Sequence, residues 1–112
     1  MTLPSECRLL RIYLGESESH QSKPLFEAIV LKAREFGLAG ATVLRGPLGF
    51  GHSSHLHTAK ILRLSADLPV VVEIVETEER LRAFLTSIEP MIAKSSILVT
   101  LERVEVLRHG PK

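Results

Sequence analysis

The run Val70-Val71-Val72-Glu73-Ile74-Val75-Glu76, entered through Pro69, constrains the fold more than any other segment of this 112-residue chain. Three consecutive valines and Ile74 put β-branched side chains on both alternating sides, the pattern of a strand covered on two faces. Thr77 follows as a good helix cap, and Glu78 and Glu79 place negative charge where unpaired amides point outward. Leu81, Phe84, Leu85, Ile88 and Ile92 then form the clearest amphipathic stripe in the chain, and Pro90 is expected to end or kink the helix. A strand feeding such a helix is one half of a layered α and β structure, and it needs a second half to complete a core.

The first part of the chain supplies that half in the same order. Residues 7–14 read as a strand with Leu10, Ile12 and Leu14 on one side and Leu9, Arg11 and Tyr13 on the other, ended by Gly15. The polar residues 16–21 read as a loop, and Ser22 as the cap of a helix in which Pro24 comes early. Leu25, Ile29, Ala33 and Phe36 face the core, and Gly37 supplies the stop. Residues 41–45 read as a second strand. Residues 97–107 read as the last, with Ile97, Val99 and Leu101 on one face and Leu98, Thr100, Val104 and Val106 on the other. The two halves match too slightly to be a sequence repeat. Their shared order predicts an α+β fold, a ferredoxin-like βαββαβ sandwich with a long loop between strands two and three. The length suits one domain over 1–112, with its core over 7–107.

Two helices can cover only one side of that sheet. Leu9, Tyr13, Val71, Val75 and one face of the last strand are left on the other. Burying roughly 800 Å² of mainly apolar surface per subunit, at about 25 cal/mol/Å², gives on the order of tens of kcal/mol before association costs cancel much of it. Self-association is therefore expected.

Composition narrows the function classes. Apolar residues make up 45% and charged residues 24%, and 14 basic side chains against 13 acidic ones give a formal charge of +1, so no global field recommends a nucleic-acid partner. Five aromatic residues, one Tyr and four Phe, without a basic face among them argue the same way. The single Cys7 excludes an internal disulfide and Cys-rich zinc patterns, and it reads as a small apolar residue in the first strand. No basic stretch with a following apolar run marks a signal peptide, and no apolar run approaches about 18 residues, so a cytoplasmic setting without membrane insertion is expected.

The most informative segment for function is residues 46–60, which include Gly46, Gly49, Gly51, His52, His55 and His57. Consecutive amides in a glycine-rich turn can form an anion-binding nest, with Ser53 and Ser54 as further donors and Arg45, Lys60 and Arg63 as flanking charge. No established phosphate motif is present, neither GxGxxG nor GxxxxGK[ST]. Flexible glycines in a plain hairpin connection would explain the same composition. His52, His55 and His57 invite a metal reading, zinc or another transition metal, with His20 or His109 as a further ligand only if the fold brings one close. Phe50 is positioned either to stack on a base or to fasten the loop to a neighbouring subunit. No catalytic constellation is complete: Ser53 and Ser54 beside histidines are not a triad, Glu76, Glu78 and Glu79 read mainly as a helix start, and Asp67 before Pro69 reads as a turn residue.

The fragments Arg11-Ile12-Tyr13-Leu14-Gly15-Glu16, Gly40-Ala41-Thr42-Val43, Arg45-Gly46, Gly49-Phe50-Gly51 and Asp67-Leu68-Pro69-Val70 together resemble an uncharacterised bacterial and archaeal family of PII-like architecture. The resemblance implies a ferredoxin-like subunit in a trimer whose sheets face an inner core. It also implies a loop between strands two and three that responds to a small molecule held between subunits, commonly an adenine nucleotide. Partners of such proteins are enzymes, transporters or channels. Gly46, Gly49 and Gly51 match the family's loop motif and Arg45 its loop base, while the modifiable tyrosine of PII regulators is absent. The expectation is a non-enzymatic signalling protein that binds an anionic metabolite or nucleotide through Arg45, Gly46, Gly49, Phe50, Gly51, Lys60 and Arg63. The alternatives are a metal-sensing trimer using the loop histidines and a structural interaction module without a ligand.

Overall fold

Burial along the first strand alternates as its sequence does: Leu10, Ile12 and Leu14 are buried, while Leu9, Arg11 and Tyr13 are not. The computed structural model describes residues 2–51 and 67–111, so the readings of His52, His55, His57, Lys60 and Arg63 fall outside the described residues. In chain order the elements are β1 Glu6–Gly15, β2 Ser19–His20, β3 Lys23–Pro24, α1 Leu25–Phe36, β4 Thr42–Arg45, β5 Pro69–Glu76, α2 Glu78–Ile92 and β6 Leu98–Glu105. Four strands form an antiparallel sheet in the order β4-β5-β1-β6, the ferredoxin-like arrangement, and β2 and β3 form a separate small hairpin.

Both helices lie on one side of the sheet. Their stripes meet Leu10, Ile12, Leu14, Val70, Val72 and Ile74 in a core that contains Leu25, Ile29, Ala33, Leu81, Phe84 and Ile88. Each fully buried Leu, Ile or Phe side chain contributes roughly 1.5–3 kcal/mol relative to exposure. Phe84 also meets Phe36 edge-on, with ring centroids 5.7 Å apart, so this contact holds the two helices to each other as well as to the sheet.

Glu76, at the end of β5, ties the halves together. It is 3% exposed and accepts hydrogen bonds from the Ala39 amide at 3.0 Å, the Thr77 amide at 3.3 Å and the Arg80 guanidinium at 3.5 Å. Arg80 in turn donates to the Phe36 carbonyl at 3.1 Å, which satisfies an acceptor at the C-terminus of α1. Gly37, at φ 83°, closes that helix in the left-handed conformation.

Four local expectations are corrected. Ser22 does not cap α1, because it and Gln21 both have positive φ (68° and 52°) as the two central residues of the β2–β3 hairpin, whereas a cap needs extended backbone. Pro24 occupies the cap position, and the Leu25 amide is satisfied instead by the Glu18 carbonyl at 2.8 Å. The segment 16–21 is therefore not all loop. Of the two readings of Pro90, an end or a kink, the end is excluded, since α2 continues to Ile92; only the final turn lies beyond the proline, so little of the helix depends on the amide it lacks. The last strand stops at Glu105, although the Val106 amide still donates to the Ser5 carbonyl at 2.8 Å.

The sheet face away from the helices has a definite pattern. Register places Leu44, Val71, Tyr13 and Leu98 side by side, one from each strand, in an apolar row across the whole sheet. Leu44, Tyr13 and Leu98 are exposed in the single chain. The adjacent row is polar: Arg11 donates to Glu73 at 3.0 Å on β5 and to Glu102 at 2.6 Å on β6.

Candidate functional site

A cavity of about 410 Å³ opens where the apolar row meets the start of the long insertion. Tyr13, Leu14 and Gly15 of β1, Pro69 and Val70 of β5, and Leu98 of β6 with the preceding Ser96 and Ile97 form its sheet side. Gly49, Phe50 and Gly51 form its loop side, and Asp67 stands at the point where the chain rejoins the sheet. Of five aromatic residues in the chain, two, Tyr13 and Phe50, are at this cavity, and Phe50 is 65% exposed.

The loop takes this course because of Pro69. A Cβ at Gly46 would lie 2.9 Å from Pro69 Cγ, and one at Gly49 would lie 3.1 Å from the same atom, so both glycines let the backbone pass against the proline ring. The Gly46 amide donates to the Pro69 carbonyl at 2.8 Å and extends the β4–β5 pairing past Arg45. Gly46 and Gly49 thus have a packing reason to be glycine, whereas a Cβ at Gly51 would meet nothing within 4 Å.

Charge at the base of the insertion is already organised. Arg45, the last residue of β4, pairs with Glu16 at 2.5 Å and lies over the Phe26 ring at 5.7 Å. Asp67, on the other side of the insertion, accepts from the Ser17 amide at 3.0 Å and the Ser17 hydroxyl at 2.7 Å through the same oxygen, Oδ1. Asp67 has φ 51°, a left-handed conformation that Asp adopts more readily than most residues, which fits the turn role read from Asp67-Leu68-Pro69. Both flanks of residues 46–66 therefore grip one turn, Glu16 and Ser17, and the Glu16 amide adds a bond to the Leu68 carbonyl at 2.8 Å.

Among the residues singled out from sequence, Gly49, Phe50 and Gly51 come together at the cavity. Gly46 supports the loop from beneath, and Arg45 points its guanidinium to Glu16 and Phe26. His20 lies in the β2–β3 hairpin beside a different depression, and His109 accepts from the Leu3 amide at 2.9 Å, so the structure brings neither to the cavity. No group of three or more His, Cys, Asp or Glu suited to a metal occurs among the described residues. Cys7 is a buried free thiol whose pKa is raised by burial, with Glu76 adding to the effect. No helix among the described residues is long and apolar enough to cross a membrane.

The wall opposite the loop carries no local signal in the sequence. Tyr13 and Leu98 were legible only as open-face residues, Asp67 only as a turn, and Ser96 not at all. Their convergence follows from register: Tyr13 pairs with both Val71 and Leu98, and Gly15 with Pro69, which sets the ends of three strands around one opening.

Comparison with known proteins adds to this geometry. Residues 7–106 match the family model DUF190, described as "Uncharacterized ACR, COG1993". A relative from Aquifex aeolicus, named "UPF0166 protein", is 42% identical over 100 residues, covering 89% of this chain and 92% of its own. Among solved structures, CPII from Thiomonas intermedia K12, bound to ADP, AMP and acetate, superimposes with a TM-score of 0.65 at 18% identity, covering 93% of this chain and 91% of that one. The same protein, described as a nitrogen regulatory PII-like protein bound to ADP, AMP and bicarbonate, gives a TM-score of 0.66 at 16% identity, covering 93% and 96%. Those likenesses establish a PII-like fold. With the family model spanning nearly the whole chain and a relative above 40% identity, the chain belongs to the DUF190 family, also named UPF0166, and carries it on a PII-like ferredoxin fold.

Proposed function

We propose that this protein is a PII-like regulatory protein of the cytoplasm that binds a small anionic metabolite or nucleotide at a cleft between subunits and presents residues 46–60 to a protein partner. The observation that carries this reading is the cavity itself. It is mainly apolar, has a few polar groups at its margin, and is walled on one side by the insertion, through Gly49, Phe50 and Gly51. A ligand seated there touches the sheet and the loop at once, so its binding energy can favour one loop arrangement over others.

The fold likeness supports the ligand class, since CPII has been solved with ADP and AMP bound. The open sheet face supports the assembly. Leu44, Val71, Tyr13 and Leu98 form a row that a trimer with inward-facing sheets would cover, and the cavity adjoins that row through Tyr13 and Leu98. A ligand site at this place would be completed by a neighbouring subunit. Arg45 is the described cation at the loop base. One of its guanidinium nitrogens pairs with Glu16, and the remaining N–H donors are available to an anion.

Calorimetry with ADP, AMP, ATP, a cyclic nucleotide, phosphate and carboxylate metabolites tests the proposal. Saturable binding of a nucleotide is expected, and Phe50→Ala should weaken it by about five- to 150-fold, corresponding to a stacking contribution of roughly 1–3 kcal/mol. Absence of saturable binding across the panel would overturn the small-molecule reading.

A further inference from the structure

The first turn of α1 is held from outside the helix. Pro24 stands where a capping side chain would, and the Leu25 amide is satisfied by the Glu18 carbonyl at 2.8 Å. Phe26, the next residue, carries the Arg45 guanidinium 5.7 Å from its ring centroid. Glu18 belongs to the turn that follows β1, where its amide donates to the Gly15 carbonyl at 3.2 Å. The two residues before it are bound to the chain on either side of residues 46–66. Glu16 pairs with Arg45 and donates its amide to the Leu68 carbonyl, and Ser17 donates twice to Asp67 Oδ1. Three consecutive residues thus tie the start of α1 to the end of β4 and to the entry of β5.

Between Glu18 and Leu25 lies the β2–β3 hairpin, a marginal element. Its strands are two residues long, and even an ordinary hairpin barely holds in water by itself. Gln21 and Ser22 at its tip both have left-handed backbone, at φ 52° and 68°, which is strained for residues with a side chain. Closure at the base offsets that strain: the Leu25–Glu18 bond joins the two ends, and the bonds to Asp67 fix Ser17 just ahead of the first. The hairpin therefore has a closed and an open state, and the Asp67 carboxylate favours the closed one. In that state His20, Gln21 and Lys23 wall a depression of about 260 Å³ against Leu31 of α1 and Met91 of α2.

We propose that the β2–β3 hairpin is a conformational relay. Arg45 and Asp67 hold the turn 16–18, the turn holds the hairpin closed, and a displacement at either residue passes to the first turn of α1 and to the surface around His20 and Met91. This gives the protein a second responsive surface, against the helices, beyond the proposed ligand site and independent of which ligand that site takes.

Amide hydrogen exchange read residue by residue by NMR in the ligand-free protein tests the relay. Asp67→Gly tolerates φ 51° and removes the carboxylate. It should speed exchange of the Leu25 amide, whose own acceptor is Glu18, by about tenfold. Asp67→Asn, which keeps an oxygen for Ser17, should speed it less. The Val106 amide, bonded to the Ser5 carbonyl at the other end of β1, opens locally and should keep its wild-type rate. Coupling is reciprocal, so Ser22→Gly, which relieves the strain at the tip, should slow exchange about fivefold at Leu25 and also at the Glu16 amide bonded to Leu68. A wild-type rate at Leu25 in Asp67→Gly, a Val106 amide that accelerates as much as Leu25, or a Glu16 amide indifferent to Ser22→Gly would each overturn the relay. All three would leave the nucleotide reading standing, since calorimetry tests that reading separately.

Discussion

Glu76 shows how much of this fold rests on a single charged side chain out of water. Its three donors come from the segment after α1, from the N-terminus of α2 and from Arg80, so removing it exposes unsatisfied groups on both helices at once. Glu76→Ala should cost about 2–4 kcal/mol in urea unfolding with an unchanged slope, and Glu76→Gln, which still accepts, should cost less. Gly15 makes a second prediction. Because a Cβ there would collide with the Asp67 carboxylate, Gly15→Ala must displace Asp67 from Ser17, and a loss of roughly 1–3 kcal/mol is expected in a thermal melt. Neither role was legible in the sequence. Glu76 reads as part of an acidic helix start, which is right for Glu78 and Glu79, but its amide partner Ala39 is 37 residues away, and the β4–β5 pairing brings it near. The same holds for the cavity: Gly49 to Gly51 stood out because glycine clustering is local, whereas Tyr13, Asp67 and Ser96 meet only through register.

Among the elements, those with strong periodicity were legible and those held by contacts were not. The stripes of α1 and α2 and the alternation of β1 mark core faces that the structure bears out. The β2–β3 hairpin left no signal, since it has two-residue strands and carries Gln21 and Ser22 where both central positions need φ > 0, a place that favours Asn and Gly. Ser22→Gly should therefore stabilise the protein by about 1 kcal/mol, read as a higher melting temperature, because the left-handed strain it relieves exceeds the added entropy of the unfolded chain. The start of α2 gives a pH-dependent prediction. Glu78 is held below its usual carboxylate pKa, first by its hydrogen bond from Arg82 at 2.8 Å and then by the nearby charges of Arg82 and Arg8. A depressed folded-state pKa contributes stability that is present above the unfolded value and is lost as pH falls through the folded one. Glu78→Gln should accordingly be less stable than wild type near neutrality, and the two unfolding curves should converge in acid. Curves that stay parallel down through the carboxylate range would show that Glu78 acts by packing alone.

For the whole molecule, the question is what lies against the face that the helices leave uncovered. Leu44, Val71, Tyr13 and Leu98 span all four strands, and scattered exposed apolar residues need no explanation, but a continuous row across a sheet does. The neighbouring Arg11 row would be carried into any such contact already neutralised in part: Arg11 bonds Glu73 and Glu102, and the Glu73 hydrogen bond raises its pKa further, so it enters as a paired cation. The proposed trimer predicts a light-scattering mass near three times the 12.4 kDa chain. Leu44→Glu tests the face itself. Leu44 is half exposed in the single chain, so a charge there should change the stability of an isolated subunit by only about 0.5 kcal/mol, yet in the assembly it would be placed against apolar neighbours without a partner. The variant should fold and scatter as a monomer. It should also lose nucleotide affinity if the cleft needs a second subunit, although Leu44 does not line the cavity. A monomeric variant with undiminished binding would confine the site to one chain, Tyr13 and Leu98 with Phe50 and Asp67, and would separate assembly from ligand recognition. A wild-type chain that scatters at 12.4 kDa would leave the apolar row in water and remove the intersubunit cleft from the proposed function.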